Sequence, residues 1–280
     1  MTSSHSLFAK SPAQAQFTTP PIEFTEELLD RIRRHRYINP HLNLASQPVG
    51  VNEVAALIEA LSEDAFDSVI KSIDLTGCSP RDDNAIGAEG CQLLAKWLRA
   101  GRGKSLLLGG NAIGDKGVMA LVHDRSEIYH FTLLDLSNND ITIAGVKALL
   151  LRYDIINTLS LSGNKLNDNS GVELADMITS AGNRFRLASL NLSHTDVGDG
   201  TVIAFSKMTD KNILALDLSH TQITDKGARA LLSSGLTCIN LEGCKISPFL
   251  LSQINIHIEN NRARQQQHEE LERERNLFTA

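Results

Sequence analysis

Aromatic residues are scarce in this sequence of 280 residues. Only 5% of the residues are aromatic although 42% are hydrophobic, so leucine, isoleucine, valine and alanine must fill the interior. Long apolar runs are also missing: nowhere do 18 apolar residues stand together, and the opening MTSSHSLFAKSPAQAQ lacks the basic segment and apolar stretch of an export signal. We therefore expect neither a membrane span nor a classical export signal.

Cysteine and segregated positive charge are equally limited. The four cysteines, Cys78, Cys91, Cys238 and Cys244, stand far apart, without the C-x-x-C spacing of a zinc site or the density of a disulfide scaffold. A reducing compartment, the cytoplasm, is the simpler interpretation. The net charge is −6, and acidic and basic residues are mixed along the chain. Because no basic face is evident, we expect no nucleic-acid partner.

What the sequence does contain is a repeat. The pattern Leu-x-Leu-x-x-Asn-x-Ile, followed by a glycine and a further leucine, recurs eight times. The paired apolar residues are Leu42/Leu44, Ile73/Leu75, Leu106/Leu108, Leu134/Leu136, Leu159/Leu161, Leu190/Leu192, Leu216/Leu218 and Ile239/Leu241. The copies start about 28 residues apart on average, a period typical of repeats that each form one supersecondary unit.

Each copy combines two periodicities. The alternation in Leu-x-Leu predicts a short strand with its leucines inward and the intervening residue outward. Apolar residues then recur at helical spacing, as in residues 117–121, 145–149 and 227–231. One strand and one helix per copy predict a curved α/β solenoid with parallel strands on its concave face and helices on its convex face.

Residues 41–250 resemble the leucine-rich-repeat family, and the form N-x-I-x-D-x-G-x-x-x-L at residues 111–121 resembles its ribonuclease-inhibitor subclass. The resemblance implies an inward ladder of small polar residues that bond the backbone of the turn leaving each strand. Its members are Cys78, Asn111, Asn139, Asn164, Thr195, Thr221 and Cys244. Two copies depart from the pattern, through an insertion at residues 79–84 and through Thr201 in place of a glycine. We expect displaced helix starts there.

Both ends of the array predict helical caps. The chain divides into a disordered lead (1–21), an N-terminal cap (22–40), the array (41–246) and a capping helix with a charged tail (247–280). Thr25 begins the first cap helix, whose apolar side carries Phe24, Leu28 and Ile32. Ser247 and Pro248 are the N-cap and first-turn residues of the second, whose apolar stripe is Leu250, Leu251, Ile254 and Ile258. Beyond residue 259 we expect a projecting or frayed tail.

The concave strand surface is the candidate binding face, because partners of repeat proteins usually dock there. The residues between the paired leucines form a polar, mildly acidic row with few apolar members. The candidate partner-binding residues on this face are Asp74, Leu107, Leu133, Asp135, Asn191, Leu214, Asp217 and Asn240. A basic protein partner would gain association rate from such a row. The alternative is that these acids serve only solubility.

Two further features are candidate sites. The insertion contains Arg81, Asp82 and Asp83, and insertions in repeats tend to fall on functional loops, although a tolerated surface insertion is the alternative. His194 and His220 occupy equivalent Ser-His-Thr positions and are expected to stack one repeat apart. Since no further ligand stands at suitable spacing, we predict exposed turn residues there, with no metal and no other cofactor.

The C-terminal tail carries a cluster of glutamates, Glu269, Glu270, Glu272 and Glu274. It resembles the glutamate-rich tail signals of type IV secreted effectors from intracellular bacterial pathogens, which also use host-like leucine-rich repeats. The resemblance implies a virulence effector that is translocated into the host-cell cytoplasm and binds a host protein there. A plain charged helix stabilised by Glu and Arg pairs is the alternative.

Catalytic motifs are missing: the sequence has no G-x-S-x-G, Walker-type loop, H-E-x-x-H or kinase set. We therefore predict a non-enzymatic protein–protein interaction module without a small-molecule substrate. Two alternatives stay open. Residues 26–29, Glu-Glu-Leu-Leu, faintly resemble the opening of an F-box, which would imply a substrate-recruiting ubiquitin-ligase subunit. The Ran GTPase-activating protein uses the same repeat subclass, which would imply a GTPase activator by fold analogy alone.

Overall fold

Each of the eight copies of the repeat begins with a strand. A computed structural model describes residues 20–34, 36–62, 69–77, 86–99, 104–122, 130–151, 155–181, 187–208, 213 and 215–278. The strands are β1 His41–Asn43, β2 Ser72–Asp74, β3 Ser105–Leu107, β4 His130–Asp135, β5 Ile155–Ser160, β6 Ser189–Asn191, β7 Ala215–Asp217 and β8 Cys238–Asn240. The helices are α1 Glu26–Arg33, α2 Val51–Ser62, α3 Gly87–Arg99, α4 Gly114–Leu121, α5 Ile143–Leu150, α6 Asp168–Ala181, α7 Asp199–Ser206, α8 Asp225–Ala228 and α9 Pro248–Phe278, and a 3-10 helix, Arg229–Ser233, continues α8.

The eight strands form one open sheet in chain order, with every neighbouring pair parallel. Their register keeps the repeat aligned: Ile73 pairs with Leu106, and Leu106 pairs with Leu134. These inward residues are fully buried and share one continuous apolar core with residues of the helices, such as Val118 and Val146. The predicted α/β leucine-rich-repeat solenoid is therefore confirmed.

The turn that leaves each strand has the same backbone conformation in all eight copies. The second residue after each leucine pair is left-handed, with φ between 52° and 72°. Glycine and asparagine tolerate this conformation best, and other residues adopt it at some cost. The eight positions are Ser46, Gly77, Gly110, Asn138, Gly163, His194, His220 and Gly243.

Thr201 does not displace the helix start of its copy, contrary to the expectation from sequence. Helix α7 begins at Asp199, four residues after the ladder residue Thr195, and α6 and α8 begin at the same offset in their own copies. The Thr201 hydroxyl, which is fully buried, donates to the Asp168 carboxylate over 2.7 Å. It lies against Gly171, where a Cβ atom would collide with it. Threonine therefore stands where other repeats have glycine, and its hydroxyl is held by Asp168. The other departure, residues 79–84, lies outside the described residues.

The cap helices begin where the sequence predicts. Helix α1 is capped by Thr25, whose hydroxyl accepts from the Leu28 backbone N–H over 3.2 Å, and it buries Leu28, Leu29 and Ile32. At the other end α9 begins at Pro248. Its first turn occupies the place of a repeat helix, and Leu250, Ile254 and Ile258 are buried in the core. The first part of α9 therefore serves as the helix of the eighth repeat as well as its cap.

Candidate protein-binding face

The predicted partner-binding residues that the structure describes lie on the face of the sheet opposite the main core. Two rows cross it, one residue per strand. The first is Asn43, Asp74, Leu107, Asp135, Ser160, Asn191, Asp217 and Asn240, and the second is His41, Ser72, Ser105, Leu133, Thr158, Ser189, Ala215 and Cys238. The predicted outward direction holds, but Asp74, Asp135 and Asp217 are only 8%, 2% and 6% exposed. The open acidic surface expected from the sequence is not found at these three carboxylates.

The acids and amides of the first row fold back onto their own backbone. The Asp74 carboxylate accepts from the Thr76 N–H over 2.9 Å, and the Asp217 carboxylate accepts from the Ser219 N–H over 2.9 Å. The bond from side chain to backbone two residues on is the Asx turn that short polar side chains favour. The same bond recurs at Asn43, Asp135, Asn191 and Asn240. Turn formation therefore explains why Asp or Asn recurs between the paired leucines. The sequence analysis missed this role, although the recurrence once per repeat was visible.

Leucine replaces the acid at one strand of the first row. Leu107 is 1% exposed and packs with Leu133, which is fully buried, in a small apolar cluster separate from the main core. The two apolar anchors predicted on this face are thus brought together, but they cover each other. The third candidate, Leu214, lies outside the described residues.

Burial changes the titration of the acids beside this cluster. Desolvation raises the pKa of Asp135 above its usual range, and the hydrogen bond from the Ser137 N–H offsets this only in part. Desolvation also raises the pKa of Asp74, against the hydrogen bond from Thr76, and the charge of Asp135 adds to the rise. These carboxylates are less available as charged contacts than their sequence positions suggest.

The concave face is covered on β2 to β4 and more accessible on either side of them, since His41 on β1 is exposed. In the second row Ser72, Ser105 and Leu133 are buried, whereas the residues that continue the row on the last four strands are partly exposed. The partly exposed residues are Thr158, Ser189, Ala215 and Cys238. In the first row Asn240 is partly exposed, and Glu242 follows it in the open. Repeats five to eight therefore offer the longest continuous accessible part of the predicted binding face.

The inward ladder that the resemblance implies is present. The Asn139 amide N–H₂ donates to the carbonyl oxygens of Leu108 and Ser137 over 2.8 and 2.9 Å. The side-chain oxygen of Asn139 accepts from the backbone N–H of Asn111 over 2.8 Å. The side-chain oxygen of Asn164 likewise accepts from the backbone N–H of Asn139 over 3.1 Å. Thr195 and Thr221 instead donate to carbonyls of their own repeat. Cys244 closes the ladder with a 3.1 Å contact to the Leu218 carbonyl, while Cys78 lies outside the described residues.

A second ladder, which the sequence analysis missed, joins the starts of the helices. An aspartate four positions after the ladder residue accepts from backbone N–H groups that begin the next helix. Asp168 accepts from Gly198, Gly200 and Thr201 over 2.7 to 2.9 Å, and Asp225 accepts from Ser247 over 2.6 Å. The members of this aspartate ladder are Asp115, Asp168, Asp199 and Asp225. The recurring Asp was the signal that would have revealed it.

Hydrogen bonding favours the ionised form of two members of this ladder, Asp168 and Asp225. Burial raises the pKa of Asp168, but the bonds from Thr201, Gly200 and Gly198 together outweigh it, so the pKa is lowered. The bond from Ser247 lowers the pKa of Asp225. Negative charge at a helix N-terminus is also favoured by the helix dipole. These carboxylates hold neighbouring repeats together in their ionised form.

The predicted stacking of His194 and His220 is confirmed. The ring centroids are 4.5 Å apart, the planes differ by 11°, and both residues are exposed. The in-plane lone pairs of two parallel rings run side by side and do not converge on one ion. Within the described part of the chain no three His, Cys, Asp or Glu side chains gather as a metal site.

The remaining candidates cannot be assessed in the same way. Arg81, Asp82 and Asp83 lie outside the described residues. The four tail glutamates fall within α9, and of their side chains only that of Glu270 is described, as exposed. Among the helices that the structure describes, none combines the length and apolar character needed to cross a bilayer.

Comparison with known proteins agrees with this geometry. A family model for leucine-rich repeats matches residues 104–122, 130–150 and 209–232. The chain is similar to the ribonuclease inhibitor of Sus scrofa, with 26% identity over 215 residues, which are 75% of this chain and 44% of that relative. The chain thus spans less than half the length of the curated relative it matches.

Fold and similarity together define a class of structure, an α/β solenoid of leucine-rich repeats, and the matched repeats indicate a protein-interaction module. Within that class, the chain is similar to leucine-rich-repeat proteins of the ribonuclease-inhibitor type.

Proposed function

We propose that this protein binds a protein partner, without catalysis, through the concave face of its C-terminal repeats. The observation that carries the proposal is the accessibility of the second row on β5 to β8, where Thr158, Ser189 and Ala215 stand in register and are partly exposed. Aligned strands of this kind provide an extended surface on a rigid frame. The net charge of −6 and the exposed Glu242 favour a basic partner.

The test blocks this surface without touching the turns. The variant Thr158→Arg/Ser189→Arg places two long cations on neighbouring strands, and Asp176→Arg adds the same side chain at an exposed position of α6. Partners are captured from a eukaryotic cell lysate, identified by mass spectrometry and then measured with purified components. We expect the double variant to bind about tenfold more weakly or worse, and Asp176→Arg to bind normally. Equal affinity of all three proteins would remove the concave-face proposal.

We also propose that the protein is a bacterial effector delivered by type IV secretion into the host-cell cytoplasm, where the partner is a host protein. The support is the tail resemblance together with the position of the tail. Helix α9 continues to Phe278, well beyond Ile258, its last residue in the core. Between residues 259 and 271 its described side chains are exposed or only partly buried, and Glu270 is exposed. A recognition signal needs such accessibility.

Delivery is tested with the full chain carrying an N-terminal reporter enzyme, expressed in a bacterium with a type IV system. Replacing Glu269, Glu270, Glu272 and Glu274 by glutamine removes charge and keeps side-chain size. We expect loss of reporter signal in host cells with unchanged bacterial expression. A charged helix that merely stabilises itself would leave delivery intact, which would contradict the proposal.

The ubiquitin-ligase alternative gains no support from the N-terminal cap. The Leu28 and Leu29 side chains of the F-box-like segment are 2% and 1% exposed and pack in the core of the array. They are therefore occupied as cap residues. No observation favours the GTPase-activator alternative.

A further inference from the structure

We infer that the turn edge of repeats six and seven holds an arginine side chain of the partner on the face of the exposed His194 imidazole that points away from His220, with the His220 ring stacked behind it. This inference rests on the proposed function and deepens it, since it names a chemical group that the partner must present. This edge adjoins the accessible concave face. His194 and His220 directly follow Ser193 and Ser219, whose backbone N–H groups donate to Asn191 on β6 and Asp217 on β7.

The platform is held in place by the backbone. The His194 N–H donates to the Ser219 carbonyl over 3.0 Å, and the His220 N–H donates to the Glu242 carbonyl over 2.7 Å. Both residues have left-handed backbones, with φ of 55° and 54°. Because each turn is bonded to the next repeat, the two rings are positioned before any ligand arrives, which lowers the entropic cost of binding.

Glycine makes room for the pair. The next residue in this column of turns is Gly243, and a Cβ atom there would collide with the His220 ring. The His220 ring therefore lies over the turn of repeat eight, where a larger residue would displace it. Six of the eight turns carry glycine, serine or asparagine at this position, and only these two adjacent turns carry a larger side chain. Histidine is among the residues that adopt this conformation more readily, and the two rings stand in adjacent turns where the other six turns carry smaller side chains.

The surrounding charge selects the ligand. Asp196 follows His194 by two residues, and Glu242 precedes the turn beneath His220; both are exposed. The nearby cation Lys245 is engaged by Gln222 over 3.3 Å. An exposed imidazole face with the exposed Asp196 two residues along the chain matches a guanidinium group, which stacks on π-faces and pairs with acids, better than it matches a compact ammonium.

The test uses the full chain and two small probes, N-acetyl-arginine amide and N-acetyl-lysine amide. Each is titrated into the millimolar range at pH 8 while the imidazole carbon–proton signals are followed by NMR, with His41 and His257 as internal references. We expect saturable shifts at His194 and His220 with the arginine probe, at an affinity about two- to fivefold above that of the lysine probe. Ligand-observed saturation transfer reports the same binding from the probe side.

The matched variant is His194→Asn/His220→Asn, since asparagine already occupies this turn at Asn138 without disturbing it. We expect normal thermal stability and loss of the preference for arginine. Equal shifts with both probes, shifts spread over all histidines, or a preference that survives in the double variant would each overturn the inference. Because no partner protein enters the experiment, its failure is separate from a failure to find a partner.

Discussion

The two halves of the solenoid hold their repeats together by different chemistry. In repeats three to five the coupling is internal: buried asparagine amides bridge the backbones of adjacent turns, as Asn139 does to Asn111 and Asn164 does to Asn139. From repeat five onward it shifts to the helix starts, where Asp168, Asp199 and Asp225 each reach the next repeat. Repeats three to five rely on neutral amides that are shielded from water, whereas the later repeats rely on carboxylates that lie close to water. The two halves should therefore respond differently to substitution and to pH.

Repeat five is where one device replaces the other. Asn164 reaches back to repeat four, and Asp168 reaches forward to repeat six. In repeat four, the residue four positions after the ladder residue Asn139 is Ile143, which has no carboxylate. The junction between repeats four and five is instead supported by the pairing of the long strands β4 and β5. Between repeats three and four both the asparagine amides and the aspartates operate, through Asn139 and Asp115.

The largest effect is expected from removing the amide at the centre of the internal ladder. Asn139→Ala leaves the buried N–H groups of Asn111 and Ile113 without their acceptor and removes one of the two donors to the Leu108 carbonyl. Each orphaned buried group costs about 1–3 kcal/mol, so we expect a loss of roughly 3–5 kcal/mol in the free energy of unfolding. Urea denaturation followed by circular dichroism measures it.

The control is Asn157→Ala, an exposed position on β5. It should change the free energy of unfolding by less than about 0.5 kcal/mol. If the two substitutions had similar effects, the internal ladder would not be the main coupling of this half.

The aspartate ladder is tested by Asp168→Ala, which removes the acceptor for three backbone N–H groups at the start of α7. Loss of a capping side chain costs up to about 2 kcal/mol. We expect a loss near that limit, smaller than that of Asn139→Ala because water can enter the space that the partly exposed Asp168 carboxylate leaves. Hydrogen exchange should locate the effect in repeats five and six. Asp176→Ala, exposed on the same helix, is the control, and equal exchange in both variants would contradict the prediction.

The sequence predicted the fold well because its information is periodic. Inward leucines at period two and helix residues at period 3.6 leave one solution once eight copies are aligned. The stacked His194 and His220 followed from the same alignment, since equivalent positions must lie one strand apart. The cap helices followed from local signals, Thr25 as an N-cap and Pro248 in a first turn.

The candidate site was harder to predict, because direction does not determine accessibility. The alternation correctly turned Asp74 and Asp135 away from the core, but it carried no information on how far neighbouring residues cover them. Their bonds to the turn two residues on compete with any partner for the same oxygens. Thr201 misled for a related reason: a hydroxyl bonded to Asp168 replaced a glycine through a contact 33 residues away.

Acidification should separate the two halves. Asp168 and Asp225 have lowered pKa values, so their stabilisation is complete above the ordinary Asp pKa of about 4 and is lost as the pH falls through their folded values. Asp74 and Asp135 have raised pKa values, so their contribution is complete below about 4 and is lost as the pH rises through their folded values. Between about pH 6 and about pH 3, hydrogen exchange corrected for its intrinsic rate should show several-fold loss of protection in repeats five to eight relative to repeats two to four. A uniform change along the chain would contradict this.

The smallest expected effect has the opposite sign to the others. Asp135→Asn keeps an oxygen for the Ser137 N–H, as Asn43 and Asn191 do for their own turns, but it removes a carboxylate that burial disfavours. We expect a gain of up to about 1 kcal/mol in the free energy of unfolding at pH 7 that disappears as the pH falls and the wild-type carboxylate takes up its proton. The reciprocal Asn191→Asp should destabilise the protein under the same conditions. If Asp135→Asn instead weakened the fold at pH 7, the charge of Asp135 would itself be stabilising. The ionised carboxylates of the two halves would then contribute to the free energy of unfolding with the same sign.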